Sequence, residues 1–325
     1  MSAHAGTVAA EPPRSVRQWF ASAQGPLIGL ILLCVVFSLS NPHFLSLRNA
    51  LNVIDQVTVL GILAVGMTAV VVIGGIDLSV GATLALATMT IGSVFTAGVP
   101  FVACVALGLL VGAASGLVNG LLITRARLPA FIATLTMMSV ARGLASMTTD
   151  GEQVVGFPEW FTALSAVRHF GFISVTVASF LLIAAAAFVF LRYRATGRSL
   201  YAIGGSAEVA RLAGIPVRPL TVWVYVASGV LAAVAGVALA ARLDSAQPSD
   251  GLGYELDTIA AVVIGGASLS GGVGGVGGTV VGVLIIGVLH NGLNLVGVSP
   301  FVQQVVIGAV IAVAVTLDTL RRREA

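Results

Sequence analysis

Between residues 57 and 76 the chain runs twenty positions without a charge, and then meets Asp77. About twenty apolar residues wound as an α-helix cross the ~30 Å hydrocarbon layer of a membrane. Inside that layer only a helix or a closed barrel satisfies its own backbone hydrogen bonds. Further apolar runs cover residues 26–40, 78–97, 101–123, 130–147, 171–191, 220–241, 279–295 and 301–317, and one more begins at Ile259 and dissolves into the glycines of 271–278. Charged residues make up 9% of the chain, against about 25% in soluble domains. The expected fold is all-α: a polytopic membrane protein of about ten transmembrane helices, or about eight if the glycine-broken segments are re-entrant.

The arginines set the orientation. With the N-terminus inside, the cytoplasmic segments receive Arg14, Arg17, Arg125, Arg127, Arg192, Arg194, Arg198, Arg211, Arg218 and Arg321, Arg322 and Arg323, twelve of the sixteen. The outer side receives Asp55, Asp150, Glu152, Glu159, Asp244, Asp250, Glu255 and Asp257. The positive-inside rule then places both termini in the cytoplasm. This divides the chain into a disordered cytoplasmic tail (1–18), a transmembrane domain (19–320) with a cytoplasmic loop at 192–219, and a basic tail (321–325). Residues 44–55 read as an amphipathic segment on the outer surface, and residues 244–257 as an acidic outer segment.

Several chemistries are excluded. The chain has no lysine, so it cannot build a phosphate loop of the Walker type, whose lysine reaches the nucleotide phosphates. Any ATP chemistry must come from another polypeptide. Cys34 and Cys104 both lie in apolar runs and offer neither a disulfide nor a metal framework. The stretch 272–277 matches the pattern GxGxxG but lies between membrane helices, without the strand a dinucleotide site needs. No paired carboxylates, nucleophile–base set or metal cluster is present, so no catalytic residue, cofactor or nucleic-acid partner is expected.

Two glycine-rich breaks interrupt the apolar pattern. Residues 71–81 and 262–272 are identical at eight of eleven positions, and doubled breaks of this kind point to a transport pathway. The first break contributes Asp77 and Ser79; the second contributes Ser268 and Ser270. Asp77 is the one acid at the inner end of a span, where insertion costs about 2.5–3.5 kcal/mol. Its side chain is expected to cap the next helix by accepting the N–H of Ser79 or Val80, with solute contact or proton coupling as alternatives. The echo has a difficulty: it needs an offset of 191 residues, whereas pairing Asn119 with Asn291 needs 172. Gly108, Gly112, Gly116 and Gly120 stand one turn apart on one helix face, ready for close helix packing. Arg142, in the outer half of its span, is expected to snorkel to the interface.

The loop 192–219 contains a fully punctuated short helix at 207–213. Ser206 is its N-cap, Glu208 lies in the first turn, Arg211 lies near the last, Gly214 supplies the left-handed stop and Pro216 prevents continuation. Helices this short are marginal in water, so it must dock, either on its own membrane domain or on a soluble partner.

The residues around it carry a resemblance. Residues 197–205 (GRSLYAIGG) and 210–215 (ARLAGI), together with 74–81 (GGIDLSVG), 129–135 (PAFIATL), 254–266 (YELDTIAAVVIGG), 269–272 (LSGG) and 290–295 (HNGLNL), resemble the ribose/monosaccharide permeases of ABC importers. The likeness spans about residues 44–318 and extends more distantly to branched-chain amino acid permeases. It implies a multi-pass permease of the bacterial inner membrane, paired with a second permease subunit as homodimer or heterodimer. It further implies a cytoplasmic ABC ATPase that binds the ATP, and a periplasmic sugar-binding protein. In that scheme Arg194, Gly197, Arg198, Gly204, Gly205, Ser206, Glu208, Arg211 and Gly214 belong to the ATPase-coupling loop. Asp77, Ser79, Asn119, Thr134, Ser268, Ser270, Asn291, Asn294 and Gln303 are pathway candidates, because amides and hydroxyls both donate and accept hydrogen bonds. For the amides, including Gln304, interhelical bonding is the alternative. His290 stands where the family suggests Asn. A branched-chain amino acid or other polar-solute importer shares the architecture, and a proton-coupled secondary transporter is the reading from a different class.

Overall fold

The computed structural model describes residues 16–169 and 171–323. Among the described residues there are thirteen helices: α1 (Val16–Ser40), α2 (Leu47–Val72), α3 (Val80–Thr96), α4 (Phe101–Thr124), α5 (Ala130–Met147), α6 (Glu159–Ala166), α7 (Val175–Tyr193), α8 (Ala195–Gly205), α9 (Ala207–Leu212), α10 (Val217–Leu243), α11 (Tyr254–Ile264), α12 (Val276–Leu295) and α13 (Pro300–Arg323). Two short antiparallel ladders join loops: β1 (Val154–Val155) with β4 (Ser245–Ala246), and β2 (Arg168–His169) with β3 (Ile173–Ser174).

Six helices, α2, α4, α5, α7, α10 and α12, are long and apolar enough to cross a membrane; shorter apolar stretches lie at Gly25–Ser40, Val80–Thr96 and Pro300–Val313. The eighth expected span is α11, whose eleven residues extend only ~16 Å at 1.5 Å per residue. Residues 1–15 of the expected tail lie outside the described residues, but α1 already begins at Val16. The boundary at 18 is therefore too late. At the other end α13 runs through Arg323, so most of the expected basic tail continues a helix.

The separate surface segment at 44–55 is not seen. Ser46 caps α2 by accepting the Asn49 N–H at 3.2 Å, and one helix then continues to Val72. Nothing in 47–56 interrupts the backbone ladder, so the amphipathic turns are simply the N-terminal end of a longer rod.

The core gathers around α2, which is buried from Val57 to Val72 except at Ala69. Antiparallel α4 and α10 approach through glycine: a Cβ on Gly116 would lie 2.8 Å from the Tyr225 carbonyl carbon, and one on Gly120 would lie 2.8 Å from Val222 Cα. Gly112 meets the Gly229 carbonyl in the same way, and Gly108 meets the side chain of Ile91 in α3. Polar ties fix α2 to α12. Thr68 and Thr279 share a hydroxyl contact of 2.7 Å, and Asn49 and Asn291 exchange amide hydrogen bonds of 2.9 and 2.8 Å.

Residues 244–253 fold back against α3. Asp244 takes a left-handed conformation (φ 52°), Ser245–Ala246 pairs with β1, and the chain then runs back alongside α3. Val154 packs on Gly92 while Gly251 packs on Gly81. Those two glycines are eleven residues apart, or ~16 Å along the helix.

Candidate functional site

The first glycine-rich break ends α2 with a Schellman turn. Gly74 has φ 78°, its N–H reaches the Val71 carbonyl at 2.9 Å, and the Gly75 N–H reaches the Val70 carbonyl at 2.9 Å; a left-handed glycine is what this turn needs. Asp77 follows, 1% exposed. Its Oδ1 accepts the Ser79 N–H at 3.0 Å and the Ser79 hydroxyl at 2.6 Å, and its Oδ2 accepts the Ser228 hydroxyl at 2.9 Å. Asn119 donates to Ser79 Oγ at 2.9 Å, and the Thr134 hydroxyl donates to the Ile76 carbonyl at 3.1 Å.

Asp77 is therefore bonded to the Ser79 N–H, as expected, but it does not occupy the N-cap of α3. Ser79 does, and its side chain makes no cap bond. The carboxylate instead forms a local turn with Ser79 and a cross-link to α10 through Ser228. The three donors offset part of the cost of burying this carboxyl group, since hydrogen bonds to charged groups contribute about 1.5–3 kcal/mol each. Ser228 escaped the sequence reading. It is the sole serine of α10, and the one available signal was its place beside Gly229 on the face that receives α4.

The second break repeats the first in conformation. Gly266 (φ 90°) ends α11 with the same turn, its N–H on Val263 at 2.8 Å and the Ala267 N–H on Val262 at 3.1 Å. Ser268 Oγ then accepts the Ser270 N–H at 3.1 Å, as Asp77 accepts Ser79. The 191-residue echo thus has a structural counterpart, one residue shorter between glycine and turn. The 172-residue pairing has none in side-chain contacts: Asn119 bonds Ser79, whereas Asn291 bonds Asn49.

The two breaks touch each other. Gly272 N–H donates to the Val72 carbonyl at 2.9 Å, and a Cβ on Gly271 would lie 2.9 Å from Gly74 Cα. Gly204, near the end of α8, lies against both the Val72 carbonyl and the Gly272 amide. Tyr201, one turn earlier, donates its hydroxyl to the Gly274 carbonyl at 3.0 Å; burial pushes its phenol up, which keeps it a neutral donor.

The loop 192–219 therefore holds two helices rather than one. Ser206 caps α9 by accepting the Val209 N–H at 3.3 Å, Gly214 has φ 81°, and its N–H bonds the Arg211 carbonyl at 3.0 Å. The helix is one residue shorter than expected, because Ala213 is already the C-cap. Ala210 is buried in the core, while Val209 and Leu212 are 64% and 78% exposed. The helix docks on its own domain with one face and presents the other. Glu208 and Arg211 pair at 2.6 Å in the open, a contact worth at most about 1 kcal/mol. Gly197 packs on the Phe190 and Leu191 backbone, whereas Gly205 faces open space. Arg194 begins α8 without a side-chain cap bond, and Arg198 donates to the Tyr193 carbonyl at 3.3 Å.

The sequence-named pathway residues separate into groups. Asp77, Ser79, Asn119 and Thr134 converge on the first break; Ser268 is buried and Ser270 exposed at the second. Asn291 is occupied by Asn49, and Asn294 Oδ1 accepts from Gln303 Nε2 at 3.0 Å, so these three tie helices near the other end of α12. His290 meets Asp257 at 3.1 Å. Arg142 does not snorkel outward. Its Nη1 donates to the Pro248 and Asp250 carbonyls at 2.6 and 2.8 Å, because the returning segment 244–253 brings those acceptors to it.

Residues 49–315 match the model of the family described as branched-chain amino acid transport system / permease component. The chain belongs to this family of membrane permease components. It is 46% identical over 296 residues to the ribose import permease protein RbsC of Bacillus subtilis, covering 90% of this chain and 92% of that one. It is 42% identical over 319 residues to its Escherichia coli K12 namesake (95% and 98% covered), and 37% identical over 300 residues to the L-arabinose ABC transporter permease protein AraH of Azospirillum brasilense (92% and 88%). No solved structure matches the chain.

Proposed function

We propose that this chain is the membrane-spanning subunit of an ABC importer that moves a monosaccharide, a pentose or hexose, across the bacterial inner membrane. Ten membrane-embedded segments, with both termini cytoplasmic, surround the passage together with a second permease subunit. A separate cytoplasmic ATPase binds and hydrolyses the ATP, and a periplasmic binding protein delivers the sugar. The permease itself needs no cofactor.

The observation that supports this reading best is the contact of Gly204 with both glycine-rich breaks. The loop that displays α9 to the cytoplasm is in backbone contact with the ends of α2 and of the 271–275 turn. Movement of α9 by a docked ATPase would reach both breaks without passing through a flexible side chain. In this role Arg194, Arg198, Ser206, Glu208, Arg211 and Gly214 serve docking, and Asp77, Ser79, Asn119 and Thr134 shape the inner half of the route.

The test is ATP-driven uptake in proteoliposomes holding the complete transporter. Ribose, arabinose and allose should be accumulated and leucine should not. Leu212→Asp should release the ATPase and abolish uptake while the permease still inserts and purifies normally. Uptake without ATPase, or of leucine alone, would overturn the reading.

A further inference from the structure

A recess of about 340 Å³, on the outer side in the topology proposed above, opens between α5, the loop 151–153 and the returning segment 247–252. Its polar lining comes from Arg142, Ser146, Gln153, Gln247 and Ser249, with Leu252 as an apolar surface. None of these residues belongs to the cluster around Asp77.

Three features give the recess its chemistry. The amides and hydroxyls offer donors and acceptors together, while Leu252 offers a surface for C–H groups. Arg142 is fixed by the Pro248 and Asp250 carbonyls through Nη1 alone. Among the described residues its Nε and Nη2 donate to no protein acceptor. Asp250 and Glu255 offset part of its charge, which lowers the preference of the recess for an anion. Polar side chains gathered this way are costly against lipid and suit a water-filled face. The volume falls at the small end of the range for small-molecule sites, about 300–1000 Å³.

We infer that this recess is a binding station for a neutral polyhydroxylated solute at the outer half of the pathway, with Arg142, Gln153 and Gln247 as its hydrogen-bonding residues. The inference rests on the importer reading above and gives that reading a location. The site is also connected to the hinge region. The segment that supplies Gln247, Ser249 and Leu252 packs through Gly251 on Gly81, in the first turn of α3, two residues beyond Ser79.

Ser249→Cys supplies the test. In right-side-out vesicles carrying the full permease, a membrane-impermeant thiol reagent should label this position. D-ribose at high concentration should slow the labelling several-fold, and L-leucine should not. The protection should disappear in Ser249→Cys with Gln247→Ala, and separately with Gln153→Ala, each checked for normal membrane insertion. Absence of labelling, or labelling that ribose leaves unchanged, would overturn the station. Wild-type, ATP-driven uptake of ribose by the complete transporter, in vesicles that also hold the ATPase and the binding protein, separates the two proposals: uptake with no protection removes this site alone, whereas protection by leucine only removes the sugar assignment.

Discussion

The amide of Gly272 donates to the carbonyl of Val72 across 2.9 Å, joining residues two hundred positions apart. That bond ties the end of α2 to the turn after α11, and Gly204 rests on both partners.

Adjacent glycines should therefore respond in opposite ways. Gly204→Ala places a methyl group on the Val72 carbonyl, and overpacking of this kind costs about 1–3 kcal/mol. Uptake should fall at least tenfold with insertion retained. Gly205→Ala meets open space and should transport as wild type. Transport rates in proteoliposomes, normalised to permease content, check the pair.

The Asp77–Ser228 bond is measurable by a double-mutant cycle. Asp77→Asn and Ser228→Ala should each lower thermal stability in detergent, and their combined effect should fall short of the sum by about 0.5–3 kcal/mol. Additive losses would show that the carboxylate and the hydroxyl do not interact.

The Asn49–Asn291 pair makes a similar but distinguishable prediction. Asn291→Leu strands a buried amide, at a cost of about 1–3 kcal/mol, whereas replacing both partners with apolar groups is close to neutral. Unfolding of Asn291→Leu should thus be partly rescued by adding Asn49→Leu. Asn49 also donates to the Phe44 carbonyl at 2.9 Å, so the rescue should be incomplete; sugar uptake in the double variant should persist, since both amides are engaged within the protein.

Gly116 faces the α10 backbone, so Gly116→Val should misfold the permease rather than impair transport alone. Its yield in the membrane should drop, with Val118→Ala, on the exposed side of the same helix, as the unaffected control.

Much of this arrangement was visible in the residues themselves. Apolar runs marked all six helices long enough to cross a membrane, and Ser206, Gly214 and Pro216 marked α9. What the pattern hid has physical reasons. Gly197, Gly204 and Gly205 each cost about 1 kcal/mol in a helix interior, which disguised α8 as loop. The helix forms because Gly197 and Gly204 let it lie on α7 and on the end of α2. The length of α11 was hidden because apolar residues continue past its end at Ile264. Ser228 was silent as a single hydroxyl among aliphatic neighbours. The fold-back of 244–253 depends on partners in α3 and α5 that no local window contains. The glycine motifs announced their own turns but not that they meet.

The meeting of Val72, Gly204 and Gly272 involves almost no side-chain atoms. A junction made of main chain cannot be graded by exchanging one residue for a slightly different one, because every replacement of Gly204 adds bulk where none fits. The outer recess, lined by ordinary side chains, can be redrawn one residue at a time. On the function proposed above, cargo preference can be retuned there position by position, whereas the junction of α8 with the two breaks would have to be transplanted whole.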